Sequence, residues 1–194
     1  MLEARDLYFA FPKKKPILEG FSLSVERGER VALQAASGWG KTTLCRIISG
    51  YLAPSKGEVL LDGAPLPRRG TCPVQLIGQH PEHMVDPRMR MKAILNEAGE
   101  VDAGTLERLG IKQELLSRFP HELSGGELQR FCIARALAAD PAYLVADEVS
   151  TMLDAVTQAH IWHFLLEECE RRNLGLILVS HSPALTKRVA TRVV

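Results

Sequence analysis

Between Ala35 and Thr43 the chain crowds together two glycines, a lysine and hydroxyl side chains, as Ala35-Ala36-Ser37-Gly38-Trp39-Gly40-Lys41-Thr42-Thr43. An apolar strand pattern, Arg30–Gln34, runs into this segment. Leu44, Ile47, Ile48 and Tyr51 leave it at the i, i+3, i+4, i+7 spacing of a helix face. Strand, glycine turn and helix together aim backbone N–H groups around Ser37–Thr42 at an anion, and the helix N-terminus adds a partial positive charge. In such a loop Lys41 reaches the outer phosphates of a nucleotide and the Thr42 hydroxyl holds Mg²⁺. The strict pattern G-x-x-x-x-G-K-[ST] is broken, because Ala35 stands at its first glycine. Alanine is the least intrusive replacement if the backbone there does not need positive φ. Trp39 is bulky for the inside of such a loop.

Three further clusters carry chemistry. Asp147-Glu148 ends the apolar run Tyr143–Ala146, where one acid can stand beside a metal and the other can polarise a water. Paired acids at a strand end also serve as caps or plain surface. Ser124-Gly125-Gly126-Glu127 opens an alanine-rich helical run that ends at Asp140-Pro141. Exposed N–H groups and a hydroxyl there can grip a phosphate, although a serine N-cap with flexible glycines would read the same way. Gln79 and His181 each follow an apolar strand pattern, Pro73–Gly78 and Leu176–Val179. His160 and His163 share a helix face, but with no third ligand suggested they read as surface.

The bulk properties narrow the field. A chain of 194 residues suits one domain with a sizeable core. With 24 basic and 23 acidic residues, the net charge of +1 gives no electrostatic case for nucleic acid as a partner. Lys13-Lys14-Lys15, between Pro12 and Pro16, reads as a solvated loop. Cys45, Cys72, Cys132 and Cys169 are scattered without metal spacing and read as reduced thiols of a cytoplasmic protein. No signal-peptide pattern and no apolar window of membrane-spanning length is present.

The elements that position these groups follow in order. Strand patterns over Leu2–Phe11, Ile17–Val25 and Glu58–Leu61, with the turn Asp62-Gly63, suggest an antiparallel patch beside the loop. A helical insertion over about 80–140 comprises short charged helices at Arg90–Glu97, Gly104–Leu109 and Lys112–Phe119, then the helix after Ser124. The core is 1–79 and 141–194. Ala155–Arg172 is a helix with Ala155, Ala159, Trp162, Leu166 and Cys169 on one face. Leu176–Val179 is continuously apolar, as in a buried parallel strand. The fold class is α/β, a mainly parallel sheet flanked by helices, with polar groups at strand C-termini where such sheets bind ligands.

Leu123-Ser124-Gly125-Gly126-Glu127, together with the loop and the acidic pair, resembles the signature of ABC-type ATPases, the nucleotide-binding subunits of ATP-binding-cassette systems. The resemblance spans the whole chain with its motifs in order. It implies a dimeric ATPase using ATP and Mg²⁺. Glu148, His181, Gln79 and Lys41 are implied as catalytic, and Thr42, Gln79 and Asp147 around Mg²⁺. Nucleotide contacts are implied for Phe11 (adenine stacking, Tyr8 being the weaker candidate), Ser37, Gly38, Trp39, Gly40, Lys41, Thr42 and Thr43, and in trans for Ser124, Gly125, Gly126 and Glu127. Ser150–Asp154 resembles the loop that crosses the dimer interface, with Val149 where the family often has proline. The wording of 124–137 and 145–148 is most like the ATPases of peptide and nickel importers. Such a subunit pairs with a second ATPase subunit, an integral membrane permease and an extracytoplasmic solute-binding protein, on the inner face of the cell membrane. A soluble, non-transport ABC ATPase acting on nucleic acid or in regulation is the alternative, and the 124–127 segment argues against a phosphate-loop kinase.

Overall fold

The computed structural model describes every residue except Ser37 and Met152. Two sheets face each other. Strands β1 (Leu2–Phe9), β2 (Leu18–Val25), β4 (Lys56–Leu61) and β5 (Ala64–Pro65) form an antiparallel sheet in the order β2-β1-β4-β5. Asp62 and Gly63, both at positive φ, make the β4–β5 turn, with Leu61 opposite Ala64. The second sheet is parallel and has the order β6-β7-β8-β3-β9. Its members are β3 (Arg30–Leu33), β6 (Val74–Ile77), β7 (Tyr143–Asp147), β8 (Gly175–Val179) and the short β9 (Arg192–Val193).

The strands β7 and β8 are buried on both faces, which is why their sequences read as unbroken apolar runs. Alternation sends Tyr143, Val145, Ile177 and Val179 to one face, where α1 (Lys41–Ile48) and the antiparallel sheet cover them. Leu144, Ala146, Leu176 and Leu178 face the other way. They meet α2 (Met91–Asn96), α4 (Gly125–Ala138) and α5 (Ala155–Arg172). Helix α3 (Ala103–Arg108) and α6 (Pro183–Val189) complete that layer.

Between β6 and β7 the chain is helical, with α2, α3, three short 3₁₀ turns and α4. Its anchor to α5 is ionic. Glu168, fully buried, accepts from Arg108 at 2.7 Å, Arg171 at 2.6 Å and Arg172 at 2.8 Å. Burial works against that charge, but the guanidinium hydrogen bonds hold its carboxyl below the usual range.

Several expectations are corrected. Tyr51 is not on the face of α1: Gly50, at φ 79°, ends the helix, and Tyr51 is 58% exposed. The stretch Lys112–Phe119 forms a 3₁₀ turn, Gln113–Ser117, rather than an α-helix. On α5, Trp162 and Cys169 are buried, whereas Ala155 and Ala159 are exposed and Leu166 is half-buried. The inner face belongs to Ile161, Phe164, Leu165 and Glu168 as well. All four cysteines are free, and burial pushes the Cys132 and Cys169 thiols up to about 12. Among the described residues no helix is long and apolar enough to cross a membrane.

Candidate functional site

The strand β3 delivers the chain to Gln34, and α1 begins at Lys41, so residues 35–40 must turn tightly between them. Gly38 (φ 81°) and Gly40 (φ 104°) make that turn possible. A side chain at Gly40 would be doubly excluded, since its Cβ would lie 2.2 Å from Ile17 Cγ2. Ala35 is not among the described non-glycine residues at positive φ, so its methyl group is compatible with the turn. Gly40 brings no side chain to cap α1, and the first turn, Lys41–Leu44, carries no acid. Its N–H groups therefore remain available to an external anion. Lys41, 8% exposed, folds back so that its ammonium donates to Ala35 O at 2.6 Å and Ala36 O at 3.0 Å.

A cavity of about 290 Å³ opens over this turn, lined by Ile17, Gly38, Gly40–Thr43, Glu148 and His181. Strand β7 ends in Asp147 and strand β8 leads to His181, so both strand C-termini point functional groups at the turn. Glu148 is the hub. Gln79, just past β6, donates its amide to Glu148 Oε2 at 3.2 Å, and His181 Nε2 lies 2.8 Å from Glu148 Oε1. The Glu148 backbone is left-handed at φ 52°, and its N–H donates to Val179 O at 3.1 Å.

Asp147 is 3% exposed, and its Oδ1 has no hydrogen-bond partner among the described residues. Burial pushes its carboxyl up; the Thr42 hydroxyl opposes this, and the Glu148 charge adds to it. A buried acid with an orphaned oxygen facing a threonine hydroxyl is a donor set suited to a hard cation such as Mg²⁺.

Other expected site residues sit apart. Phe11 is 37% exposed, edge-on to Phe9 at 5.0 Å with Lys14 over its ring, and does not line the cavity. Trp39 turns away and packs edge-on against Phe21 at 5.5 Å. Ser124–Glu127 do not line the cavity either. There Ser124 caps α4, and Glu127 Oε2 accepts from the Ser124 N–H at 2.9 Å and hydroxyl at 2.7 Å. That capping box holds the Glu127 carboxyl below the usual range. Ser37 lies outside the described residues. Ile17, absent from the expected set, lines the cavity; its signal in the sequence is only that of the first apolar residue after Lys13–Pro16.

Comparison with known proteins fits this geometry. The family model described as ABC transporter matches residues 18–151. The chain is 31% identical over 208 residues to the nickel import system ATP-binding protein NikE of Staphylococcus aureus (strain bovine RF122 / ET3-1), taking in 100% of this chain and 85% of that one. It is 31% identical over 215 residues to the "Probable D,D-dipeptide transport ATP-binding protein DdpF" of Escherichia coli (strain K12), covering 100% of this chain and 68% of that protein. A solved structure of an ATP binding subunit of an ABC transporter superposes with a TM-score of 0.84 at 25% identity, over 97% of this chain and 82% of that one. The chain belongs to the ABC transporter family, as one of its ATP-binding, ATP-hydrolysing subunits.

Proposed function

We propose that the chain hydrolyses ATP at the Gly38–Thr43 cavity with Glu148 as general base, and that this drives uptake of a peptide, nickel or a similar small solute. The observation that carries the mechanism is the Glu148 carboxylate held between Gln79 and His181 on the wall of that cavity. In this reading the N–H groups of the turn and of α1 cradle the β- and γ-phosphates. Lys41 exchanges its two loop carbonyls for phosphate oxygens. A water oxygen attacks the γ-phosphorus, its proton passes to Glu148, and ADP leaves. Gln79 and His181 orient the carboxylate, and His181 faces the γ-phosphate. Thr42 and Asp147, with Gln79 nearby, would hold Mg²⁺, whose chemistry there is to neutralise charge on the phosphate oxygens.

The second half of the site is assigned to another subunit. Ser124, Gly125 and Gly126 lie outside the cavity of their own chain, and would approach the nucleotide from a partner ATPase. Phe11, exposed and outside the cavity lining, is assigned to stack on adenine with its free ring surface.

The segment 80–140 is proposed as the arm that meets the permease. A groove of about 590 Å³ separates its Glu97 and Arg135, an ion pair at 3.3 Å, from Ser49, Tyr51 and Cys72 of the core. Tyr51, exposed on that rim, is the type of amphipathic anchor that interfaces use. The names of the relatives, which are transport and import ATP-binding proteins, support an importer. A solute-binding protein outside and a peripheral position of this subunit on the inner membrane face are part of the same proposal. The test is Glu148→Gln. ATP binding should persist, turnover should fall below detection, and a nucleotide-bound dimer should accumulate; turnover at the wild-type rate would overturn the assignment of the base.

A further inference from the structure

Glu148 holds a backbone conformation that a glutamate does not adopt freely. A left-handed φ of 52° at a residue with a Cβ is strained, and it persists only where its surroundings over-determine it. One source of that determination is the Val179 carbonyl, which takes the Glu148 N–H. The other lies downstream. The Glu148 carbonyl accepts from both the Thr151 N–H at 3.3 Å and its hydroxyl at 2.9 Å. Ser150, between them, is 5% exposed and points inward. Its hydroxyl oxygen accepts from Gln158 Nε2 at 2.9 Å and from the Trp162 indole N–H at 3.0 Å. Both donors stand one turn apart on α5, and the indole is itself buried.

We propose that Ser150, clamped by Gln158 and Trp162, is the positioning residue that fixes Glu148 for hydrolysis. It acts through the turn rather than on nucleotide. Its hydroxyl joins α5 to the strained residue, so the angle of the carboxylate follows the seating of that helix. Two donors converging on one serine oxygen make a rigid anchor, because the buried Trp162 indole cannot swing without leaving its N–H unpaired, and the half-buried Gln158 adds a second bond. A cavity of about 260 Å³, lined by Glu148, Ser150, Gln158, Trp162 and His181 among others, lies against the clamp, so loss of the anchor leaves the turn room to relax. The inference rests on Glu148 being the base.

The experiment compares Ser150→Ala, Ser150→Thr, Trp162→Phe, Gln158→Leu and Glu148→Gln in the full chain, measuring kcat, KM, nucleotide affinity and Tm. Ser150→Ala is expected to lower kcat about tenfold, as a small displacement of a general base does, with KM and affinity unchanged. Ser150→Thr, which keeps the hydroxyl, should restore most of that rate. Trp162→Phe should lower kcat in the wild-type background and have no further effect in Ser150→Ala, since both act through one oxygen. If Ser150→Ala fails to fold, Trp162→Phe and Gln158→Leu carry the same comparison. Wild-type kcat in these variants beside an inactive Glu148→Gln would overturn the clamp and leave the base assignment standing. An active Glu148→Gln would overturn both.

Discussion

Two helices in this molecule have glycine at their N-terminal ends, Gly40 before α1 and Gly125 and Gly126 opening α4, and they treat those ends in opposite ways. Helix α1 starts at Gly40 with no cap and with a lysine as its first residue. Helix α4 starts at Ser124 with a complete capping box, in which Ser124 and Glu127 satisfy one another. Both ends carry the same partial positive charge. One is left open over a cavity, while the other has its Glu127 N–H taken by the Ser124 hydroxyl and the Glu127 carboxylate folded back on Ser124. An anion site is therefore made by what is withheld from a helix end as much as by the glycines in front of it. We propose that the first end holds phosphate in its own chain and that the second, whose box uses the Ser124 and Glu127 groups, meets it from a partner subunit.

The comparison can be broken most forcefully at the open end. Lys41→Ala should weaken ATP binding by about 100-fold, because charge-assisted contacts to phosphate are lost, as calorimetry would record. Gly40→Ala should do comparable damage through its φ of 104° and the contact with Ile17. Asp147→Asn comes next. It removes a buried charge whose oxygen lacks a partner, so the nucleotide-free protein should gain on the order of 1 kcal/mol in denaturant unfolding, while Mg²⁺-dependent binding is lost. At the closed end, Ser124→Ala should cost about 1 kcal/mol of stability, the usual worth of an N-cap, and leave binding by the single chain unchanged.

The smallest effect is a pH dependence. Glu127 is held below the ordinary carboxylate range, first by the Ser124 N–H and then by its hydroxyl. A depressed folded value means that its contribution is complete above the unfolded value of about 4.3 and is lost as pH falls through the folded one. Glu127→Gln should keep the box geometry and flatten that acid limb of the stability curve, as melts across a pH series would record.

Much of the fold was legible because burial writes itself into strands. The apolar runs 143–146 and 176–179 announce a parallel sheet, and the acids and histidine that follow them announce its C-terminal edge. The departures have local causes. Tyr51 kept the helical spacing of α1, yet Gly50 ends the helix before it. Ala155 and Ala159 share the spacing of Trp162, but small side chains at an exposed helix start leave no mark that separates surface from core. Ile17 beside Gly40 and Arg108 on Glu168 are long-range pairings, and no periodicity carries them, because each depends on two distant segments meeting. The serine and glycines at 124–126 allowed both a phosphate grip and a simple cap, and in the single chain the cap is formed.

One chain is expected to bind ATP through the open end alone, with the capped end joining from a second subunit. Sedimentation velocity with Mg²⁺–ATP on Glu148→Gln, with and without Ser124→Ala, tests it most directly when paired with nucleotide titration. Equal ATP affinity is expected for the two monomers, with an ATP-dependent dimer that forms when Ser124 is present and is lost on Ser124→Ala. Weakened ATP binding by the Ser124→Ala monomer would contradict it.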